Sequence, residues 1–386
     1  MNSGHWLKKV LLNYRKELPM VIVAALLFWM ILPGELFIDP CSTVVYDRQE
    51  RLIGARIAED GQWRFPEPDS IPEKYEKALL VFEDQYYYSH PGINPLSLIR
   101  ASIQNIRHGE IVSGGSTITM QVIRMSRKQK PRTLWQKLIE MVLALRYELN
   151  HSKNEILTSY AGHAPFGGNV VGLDAAAWRY FGTAPGHMTW SEAALLAVLP
   201  NAPSLIHPGK NRDLLLQKRN RLLDRLASKG VIDSITCHLA KLESLPEKPH
   251  PLPNKVPHIT DQIMLEEEVI KLYCTIDGAL QDRVLEMVGN QHKQLKRNQI
   301  HNLACMVMDV ETGEVLAYAG NTEDRSGNRR HGNDVDIIRA PRSTGSILKP
   351  LLFAGLMEDG LLLPASLVPD VPVRYQGYAP KNYNRS

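Results

Sequence analysis

The segment EDQYYYSHPG, residues 83–92, is followed about twenty residues later by GGSTITMQ, residues 114–121. The first segment places two acids and a histidine at the predicted end of a helix. The second is a glycine- and hydroxyl-rich loop that runs into a basic stretch. Two acids at a helix C-terminus oppose the helix dipole, which favours a functional role and a raised pKa for a general base. Together the segments predict a carboxylate that removes a proton beside a bound phosphate, although each residue alone is also consistent with packing or a turn.

Five motifs follow one another between residues 83 and 204, within the region of about 71–208 that the resemblance described next covers. They read EDQYYYSHPGIN, GGSTITMQVIR, RTLWQKLIE, KNEILTSYAGHAPFG and LPNAPS. Their order closely resembles glycosyltransferase family 51, the peptidoglycan polymerase domain of class A penicillin-binding proteins. The resemblance implies a mostly α, lysozyme-like domain. It also implies that this domain polymerises lipid II into β-1,4 glycan strands with inversion and releases undecaprenyl diphosphate.

The resemblance also implies a role for individual residues. Glu83 matches the catalytic base that takes the proton from the attacking sugar hydroxyl, and Glu140 matches the second acid. The residues expected to contact the substrate are Asp84, Tyr87, His90, Gly115, Ser116, Thr117, Gln121, Arg124, Arg132, Lys137, Lys153 and Glu155. Arginine suits phosphate, so Arg124 and Arg132 are expected against the donor pyrophosphate. No residue is assigned as a metal ligand, and a Mg or Mn ion at the pyrophosphate is left open.

The chain departs from the family pattern at a few motif positions. Gln136 stands where the third motif usually has Arg. In the fourth motif Tyr160 and Gly167 match, but Ala161 and Gly162 replace the usual Leu-Asn. The loss of the Asn side chain predicts weaker local hydrogen bonding at a helix end. These departures bear on the turnover rate more than on the class of ligand.

A second candidate site lies near the end of the sequence. Ser346 and Lys349 form an SxxK motif, which by itself is a weak signal. The preceding VMDVETGEVLAYAGN, residues 307–321, resembles the first strands of the penicillin-binding transpeptidase domain, in which the serine is the nucleophile and the lysine helps to activate it. Neither an SxN nor a KTG element follows in the sequence. We therefore expect a truncated α/β transpeptidase domain in which Ser346 does not work as an acylation nucleophile.

An uncharged stretch, residues 18–32, lies between basic and acidic flanks. The positive-inside rule predicts a single-pass anchor in the bacterial inner membrane with the catalytic domains on the periplasmic side. A cleaved signal peptide and a buried core helix are the alternatives. The predicted divisions are a cytoplasmic tail at 1–17, a transmembrane anchor at 18–38, a β-hairpin and linker at 39–70, the glycosyltransferase domain at 71–245, a Pro-rich linker at 246–262 and the truncated transpeptidase domain at 263–386.

The sequence also limits the partners. A net charge of +4 over 386 residues gives no argument for nucleic acid. The expected partners are lipid II, the growing glycan strand, the lipid bilayer and other cell-wall synthesis proteins. Two further functions compete with the polymerase: a noncatalytic scaffold that binds lipid II or partner proteins, and a lysozyme-like hydrolase. The basic residues after the GGST loop speak against the hydrolase.

Hydrophobic periodicity and turn signals predict the main elements. Strands are expected at 43–46, 52–57, 302–308 and 314–319, with a further short strand and helix from residue 274. Helices are expected at 73–88, 95–106, 132–149, 154–160, 172–181, 191–199 and 212–229. The segment TWSEA predicts a helix start with Thr189 or Ser191 as its cap.

Overall fold

A computed structural model describes residues 28, 35–108, 115–128, 133–201, 208–265, 269–322, 331–369, 371–374 and 376–379. The chain divides into two compact units, Met1–Ile338 and Arg339–Ser386. The helices of the first unit are α1 (Glu73–Glu83), α2 (Pro95–His108), α3 (Ile118–Ser126), α4 (Leu134–Glu148), α5 (Lys153–His163), α6 (Leu173–Phe181), α7 (Trp190–Val198), α8 (Arg212–Ser228), α9 (Ser234–Leu242), α10 (Pro257–Leu265) and α11 (Gly278–Leu295). Its strands are β1 (Thr43–Tyr46), β2 (Leu52–Arg56), β3 (Trp63–Arg64), β4 (Pro165–Gly167), β5 (Val170–Val171), β6 (Lys271–Tyr273), β7 (Cys305–Met308) and β8 (Val315–Ala319).

Several of these helices have a threonine or serine as their N-cap residue. Thr117, Thr133, Ser152 and Thr189 are the N-caps of α3, α4, α5 and α7, and each accepts a hydrogen bond from the backbone N–H three residues later. Such a bond satisfies one of the N–H groups that a helix start leaves without a partner. The cap predicted at Thr189 is confirmed.

Helix α7 lies at the centre of the helical core. All its residues except Trp190 and Glu192 are buried, and it packs against α1 and α8. A helix that is apolar on all sides belongs in the interior of a domain. This packing holds α1, and with it Glu83 at its end, against the middle of the core.

The β1–β2 hairpin lies between two cores. Strands β1 and β2 pair antiparallel, and β6 joins β1 in parallel with Val45 opposite Leu272. Because side chains alternate along a strand, Val44 enters the helical core while Val45 enters a second core with Ile276 and Tyr318. The predicted hairpin is confirmed, and it also receives a strand from the region predicted to begin the next domain.

Two smaller sheets complete the first unit: β3, β5 and β4 form one, and β7 pairs antiparallel with β8. The short strand predicted from residue 274 lies at Lys271–Tyr273, just before its expected position. The predicted division into domains at residues 71, 246 and 263 stays a prediction.

Most predicted helices are present with shifted ends. The prediction for 73–88 was too long, because α1 ends at Glu83 and a separate 3-10 turn, Tyr87–Ser89, follows. Helix α3 was not predicted, since its first turn was taken as part of the GGST loop. Helices α9 and α10 were also missed, and α10 begins inside the segment that was predicted to be a linker.

The predicted anchor at 18–38 lies outside the described residues, except for Phe28 and residues 35–38. In the part of the chain that the structure describes, no helix combines the length and the apolar character needed to cross a membrane. The four cysteines Cys41, Cys237, Cys274 and Cys305 are all free thiols.

The second unit contains a 3-10 turn at Gly345–Ile347 and helix α12 (Leu348–Glu358). Several of its apolar side chains are exposed: Leu351, Leu352, Phe353, Leu361, Leu363, Leu367 and Val368. None of its described residues is buried. This unit therefore shows local helical structure without a core among the described residues.

Candidate active site

Glu83 is the last residue of α1, because Asp84 leaves helical geometry with φ −153° and ψ 80°. The Oε2 atom of Glu83 accepts a hydrogen bond from Gln121 Nε2 at 2.7 Å. Its Oε1 atom is buried and has no hydrogen-bond partner among the described residues. Burial raises the pKa of Glu83, and Asp84 raises it further, while hydrogen bonds from Gln121 and Asn201 lower it. The result is a carboxyl group that binds a proton more readily than an exposed glutamate, as a general base requires.

The second acid of the pair, Asp84, points into a buried contact. Its carboxylate lies 3.0 Å from His90 Nε2 and accepts a hydrogen bond at 3.3 Å from the backbone N–H of Ile118. Ile118 is the first residue of α3, where the helix dipole is positive and favours a negative charge. Asp84 therefore follows the last residue of α1, and its carboxylate bonds the first backbone N–H of α3. This contact connects the first motif to the second in the interior of the domain.

A buried network supports the loop after Asp84. Lys153 Nζ bonds Glu148 at 2.6 Å and the carbonyl of His90 at 2.7 Å, and it lies 4.4 Å from the centre of the Tyr87 ring. The Tyr87 hydroxyl donates to the carbonyl of Lys153 at 2.8 Å, and Thr119 donates to Glu148 at 2.6 Å. Tyr87, His90 and Lys153 thus hold one another, and the loop after Asp84, in place. Their predicted contact with substrate stays a prediction.

Thr117 ties the hydroxyl-rich motif to the first motif. Its hydroxyl donates to the carbonyl of Gly92 at 2.6 Å and also caps α3. Gly92 has φ +86°, and a Cβ atom there would lie 2.9 Å from the backbone oxygen of Ala144. Gly115, with φ +50°, packs as closely on the carbonyl of Ser97. The glycines in these motifs allow close contact between backbones, which a larger residue would prevent.

Arg124 and Glu140 form the charged centre of the site. Arg124 Nε and Nη2 bond the two carboxylate oxygens of Glu140 at 3.1 and 2.8 Å, and Nη2 also donates to Ser116 at 3.2 Å. Lys137 lies one helical turn before Glu140 on α4. Burial, and then the charge of Arg124, lowers the pKa of Lys137. This arrangement concentrates positive charge next to a fixed carboxylate.

Helix α3 connects the two carboxylates. Gln121 holds Glu83, and Arg124 holds Glu140. Gln121 and Arg124 are three residues apart, so they lie on one face of α3, with Cβ atoms about 5–6 Å apart. The sequence motifs that contain these four residues therefore meet at α3.

Other predicted site residues have different positions. Glu155 is exposed at the start of α5, where its side chain and that of Ser152 form a capping box with the backbone. Arg132 lies outside the described residues. Ser346 lies in the 3-10 turn just before α12, and Lys349 is the second residue of that helix. Both side chains are exposed, and no hydrogen bond between them is seen in the described part of the second unit.

The departures from the motif pattern can also be placed. Gly162 is buried near the end of α5, and a Cβ atom there would lie 2.9 Å from Cγ of Glu67. An asparagine at this position requires Glu67 to move. The Oε1 atom of Gln136 is buried without a hydrogen-bond partner among the described residues. Whether these departures lower activity stays a prediction.

Sequence reasoning missed three residues that support the site. Asn201 lowers the pKa of Glu83, and Thr119 and Glu148 complete the network of Lys153. Asn201 belongs to the motif LPNAPS, so its motif position could have indicated that it lies near the site. Thr119 and Glu148 gave no such signal, because their pairing joins different helices.

The described residues contain no group of three or more His, Cys, Asp or Glu side chains that fits a metal ion. Glu140, the acid beside the expected pyrophosphate, already has both oxygens bonded to Arg124. The donor set in the described residues does not fit a protein-held metal.

Comparison with known proteins agrees with this geometry. The transglycosylase family model matches residues 50–227, and the penicillin-binding protein transpeptidase family model matches residues 303–386. Penicillin-binding protein 1C of Escherichia coli (strain K12) is 36% identical over 84% of this chain and 42% of its own length. Penicillin-binding protein 1A of Aquifex aeolicus (strain VF5) is 38% identical over 51% of this chain and 27% of its own.

A more distant relative covers a similar region. Penicillin-binding protein 1A/1B of Bacillus subtilis (strain 168) is 28% identical over 82% of this chain and 36% of its own length. The chain thus spans less than half the length of each of these three relatives.

Proposed function

We infer that this chain belongs to the class A penicillin-binding protein family, because both of that family's domain models match it and because it is 36% identical to penicillin-binding protein 1C of Escherichia coli (strain K12). From that membership we propose that it is a peptidoglycan glycosyltransferase, which polymerises lipid II into β-1,4 glycan strands with inversion and releases undecaprenyl diphosphate. The observation that carries this proposal is the link through α3 between a buried base, Glu83, and a cation–carboxylate pair, Arg124 and Glu140.

The proposed reaction begins at Glu83. Its carboxylate takes the proton from the attacking sugar hydroxyl, and the hydroxyl oxygen forms a bond to the anomeric carbon of the donor. The bond from that carbon to the diphosphate oxygen breaks, and the electron pair leaves with the diphosphate. Attack from the side opposite the leaving group inverts an α-linked donor into a β-linked product. The hydrogen bond from Gln121 fixes the orientation of the Glu83 carboxylate. The raised pKa of Glu83 favours proton uptake.

The departing diphosphate needs positive charge. Arg124 uses Nε and Nη2 for Glu140, which fixes the plane of the guanidinium group. Among the described residues no hydrogen bond occupies its Nη1 atom, so one edge of the group remains for a phosphate oxygen. Lys137 adds a second charge close to Arg124. The predicted contribution of Arg132 belongs to the same proposal.

Two helices near these motifs present apolar residues to solvent. The exposed apolar residues of α2 and of the first half of α4 are Leu96, Ile99, Ile103, Ile106, Leu134, Trp135, Leu138 and Val142. The α2 residues and the α4 residues from Leu134 or Trp135 onward recur every three to four positions, which places them on one face of each helix. Exposed apolar faces of this kind suit a bilayer surface and a polyprenyl tail. They support the proposal that the site works at the periplasmic side of the inner membrane.

The proposal is tested with the full chain in detergent, supplied with labelled lipid II. We expect polymeric glycan that a β-1,4-specific muramidase digests. Parallel reactions with a chelator and with added Mg or Mn ions show whether a divalent ion contributes. Binding of lipid II without any polymer supports the alternative of a noncatalytic scaffold, and the absence of both binding and polymer contradicts the proposal.

The proposal assigns no transpeptidase activity to Ser346. Its side chain and that of Lys349 are exposed, and the described residues supply no hydrogen bond that would activate the serine. A labelled β-lactam tests this point, since we expect it to leave Ser346 unmodified.

A further inference from the structure

The side-chain ammonium group of Lys153, the first residue of α5, is bonded on three sides within the chain. Its Nζ atom lies 2.7 and 2.6 Å from Oε1 and Oε2 of Glu148, and it donates to the carbonyl of His90 at 2.7 Å. The ring of Tyr87 covers a further side, with its centre 4.4 Å away. A lysine ammonium group has three N–H donors and no acceptor. These three oxygens therefore account for all of its donors and leave none for a phosphate or a sugar.

Glu148 joins the elements around the catalytic base. It is the last residue of α4, and 8% of its side chain is exposed. Its Oε1 atom accepts a hydrogen bond at 2.6 Å from the hydroxyl of Thr119, a fully buried residue of α3. Through Lys153 it also holds α5 and the carbonyl of His90, in the loop after α1. Hydrogen bonds to a charged group in a buried site are stronger than those between neutral groups, so this carboxylate fixes its neighbours firmly.

Two of these elements meet at Glu83. Helix α3 carries Gln121, which donates to Oε2 of Glu83 at 2.7 Å. The loop after α1 carries His90, whose ring Nε2 atom lies 3.0 Å from the carboxylate of Asp84, the residue directly after Glu83. Because Glu148 is bonded to α3 directly and to the loop through one side chain, it fixes the distance between them. That distance determines how Glu83 is aligned with Gln121.

We propose that Glu148, Lys153 and Thr119 are positioning residues for the catalytic base, and that Lys153 makes no contact with the substrate. They hold α3 and the loop after α1 together, so that Glu83 keeps the orientation in which it accepts the proton of the sugar hydroxyl. A shift of the base by about 1 Å can lower the rate about 100-fold. The inference rests on the proposed function, because it concerns the base of that reaction. It replaces the substrate contact that the family resemblance implies for Lys153.

Kinetic measurements separate positioning from substrate contact. A side chain that binds lipid II directly contributes to its affinity, so its removal raises KM and the Kd of lipid II. A side chain that only aligns the base leaves that affinity unchanged and contributes to the transition state, so its removal lowers kcat and kcat/KM equally. The two roles of Lys153 therefore predict different results.

The test uses Lys153→Met, Glu148→Gln and Thr119→Val in the full chain, with labelled lipid II in detergent. Each substitution keeps the approximate size of the side chain and removes its charge or its hydroxyl group. Thr119→Ser is the conservative variant, because it keeps the hydroxyl that bonds Glu148. Values of kcat are expressed per folded chain, with the folded fraction measured by circular dichroism.

Arg64→Met is the matched control. Arg64 is a buried cation whose Nη1 atom bonds the carboxylate of Asp60 at 3.0 Å and the carbonyl of Pro40, just as Lys153 bonds a carboxylate and a carbonyl. It lies in β3, outside the catalytic motifs. Its loss should lower stability without changing kcat per folded chain or the Kd of lipid II. The comparison therefore removes the effect of losing a buried ion pair as such.

We expect kcat of Lys153→Met and of Glu148→Gln to fall by about 10- to 100-fold at unchanged KM and Kd. The variant with both substitutions should lose no more than the larger single loss, because the two side chains act as one unit. Thr119→Val removes only one hydrogen bond and should lose about 3- to 10-fold in kcat. Thr119→Ser should keep the wild-type kcat.

A raised Kd of lipid II in Lys153→Met overturns the inference, as does a kcat per folded chain equal to that of the wild type, or an equal loss in Arg64→Met. If Lys153→Met and Glu148→Gln do not fold, Thr119→Val and Thr119→Ser decide, since equal kcat values in these two contradict the inference. The Kd measurement needs no turnover. A wild-type chain that makes no polymer, with an unchanged Kd in Lys153→Met, therefore contradicts the proposed function alone.

Discussion

Glu83 and Ser346 are the central residues of the two candidate sites, and their surroundings differ. Glu83 lies among residues that are buried and paired, including Asp84 with His90 and Arg124 with Glu140. Ser346 is exposed, in a unit with no buried residue among those described. Both residues sit at a helix end in a recognisable motif. A motif therefore supplies the residue types of a site, whereas the buried contacts around those residues fix the geometry that catalysis needs.

Among the substitutions that leave Glu83 itself in place, the largest effect on activity is expected when a paired cation near it is changed. Arg124→Lys keeps the charge but loses the bidentate contact with Glu140. We expect kcat/KM for lipid II to fall by roughly 10- to 100-fold, corresponding to about 1.4–2.8 kcal/mol. Steady-state polymerisation assays measure this change.

Arg342→Lys is the matched control in the exposed unit, and it should leave polymerisation unchanged. Equal activity of Arg124→Lys and the wild-type chain would show that the paired charges around Glu83 do not matter for the reaction.

The next contrast compares two glycines with positive φ. Gly92→Ala places a Cβ atom 2.9 Å from the carbonyl oxygen of Ala144, whereas a Cβ atom on Gly345 meets no atom within 4 Å. We expect Gly92→Ala to lower the free energy of unfolding by about 3 kcal/mol, because backbone strain and overlap add. Gly345→Ala should lower the free energy of unfolding by only about 1 kcal/mol, from backbone strain alone. Urea denaturation of the full chain measures both, and similar losses for the two variants would contradict the contrast.

A smaller effect is expected on the pH dependence of folding stability. Burial raises the pKa of Asp174, in the first turn of α6, from 3.8 to about 6, with Lys271 opposing and Asp69 adding to the rise. The folded chain therefore binds this proton more readily than the unfolded chain. The stability that the group contributes is present below pH 3.8 and is lost as the pH rises through about 6.

Asp174→Asn should remove that pH dependence, so that the variant gains about 2 kcal/mol relative to wild type between pH 4 and pH 7. Denaturant midpoints across this window measure the gain. Asp359→Asn in the exposed unit is the control, and its denaturant midpoint should change with pH as that of the wild-type chain does. A parallel pH dependence in Asp174→Asn and the wild-type chain would refute the assignment.

Much of the site was predictable because its residues lie in local patterns. The cap at Thr189 follows from short-range physics and was predicted, whereas the helix predicted over 73–88 ends earlier than expected, at Glu83. The family resemblance implied a shared site for Glu83, Gln121 and Glu140. In the structure Gln121 bonds Glu83, and Glu140 is linked to the same helix through Arg124; their roles stay predictions. Ser152 and Glu155 have the spacing of a capping box, which was readable in the sequence, although the family resemblance suggested substrate contact for Glu155.

Other features depend on contacts between distant segments. The carboxylate of Asp84 bonds the backbone of Ile118, 34 residues away, and no local pattern specifies that pairing. The parallel pairing of β6 with β1 joins Val45 to Leu272, which lie in regions predicted to be separate domains. Helix α3 was missed because the glycines before it read as a loop, although Thr117 is a common type of helix cap.

The central claim is that the carboxylate of Glu83 is the base for polymerisation, and Glu83→Gln tests it most directly. This change keeps the size of the side chain and removes its ability to accept the proton. With labelled lipid II and the full chain, we expect polymerisation to fall by about 100- to 10,000-fold while lipid II binding stays at the wild-type level. Glu73→Gln, at the exposed start of the same helix, should polymerise normally. Polymerisation by Glu83→Gln at the wild-type rate would contradict the account.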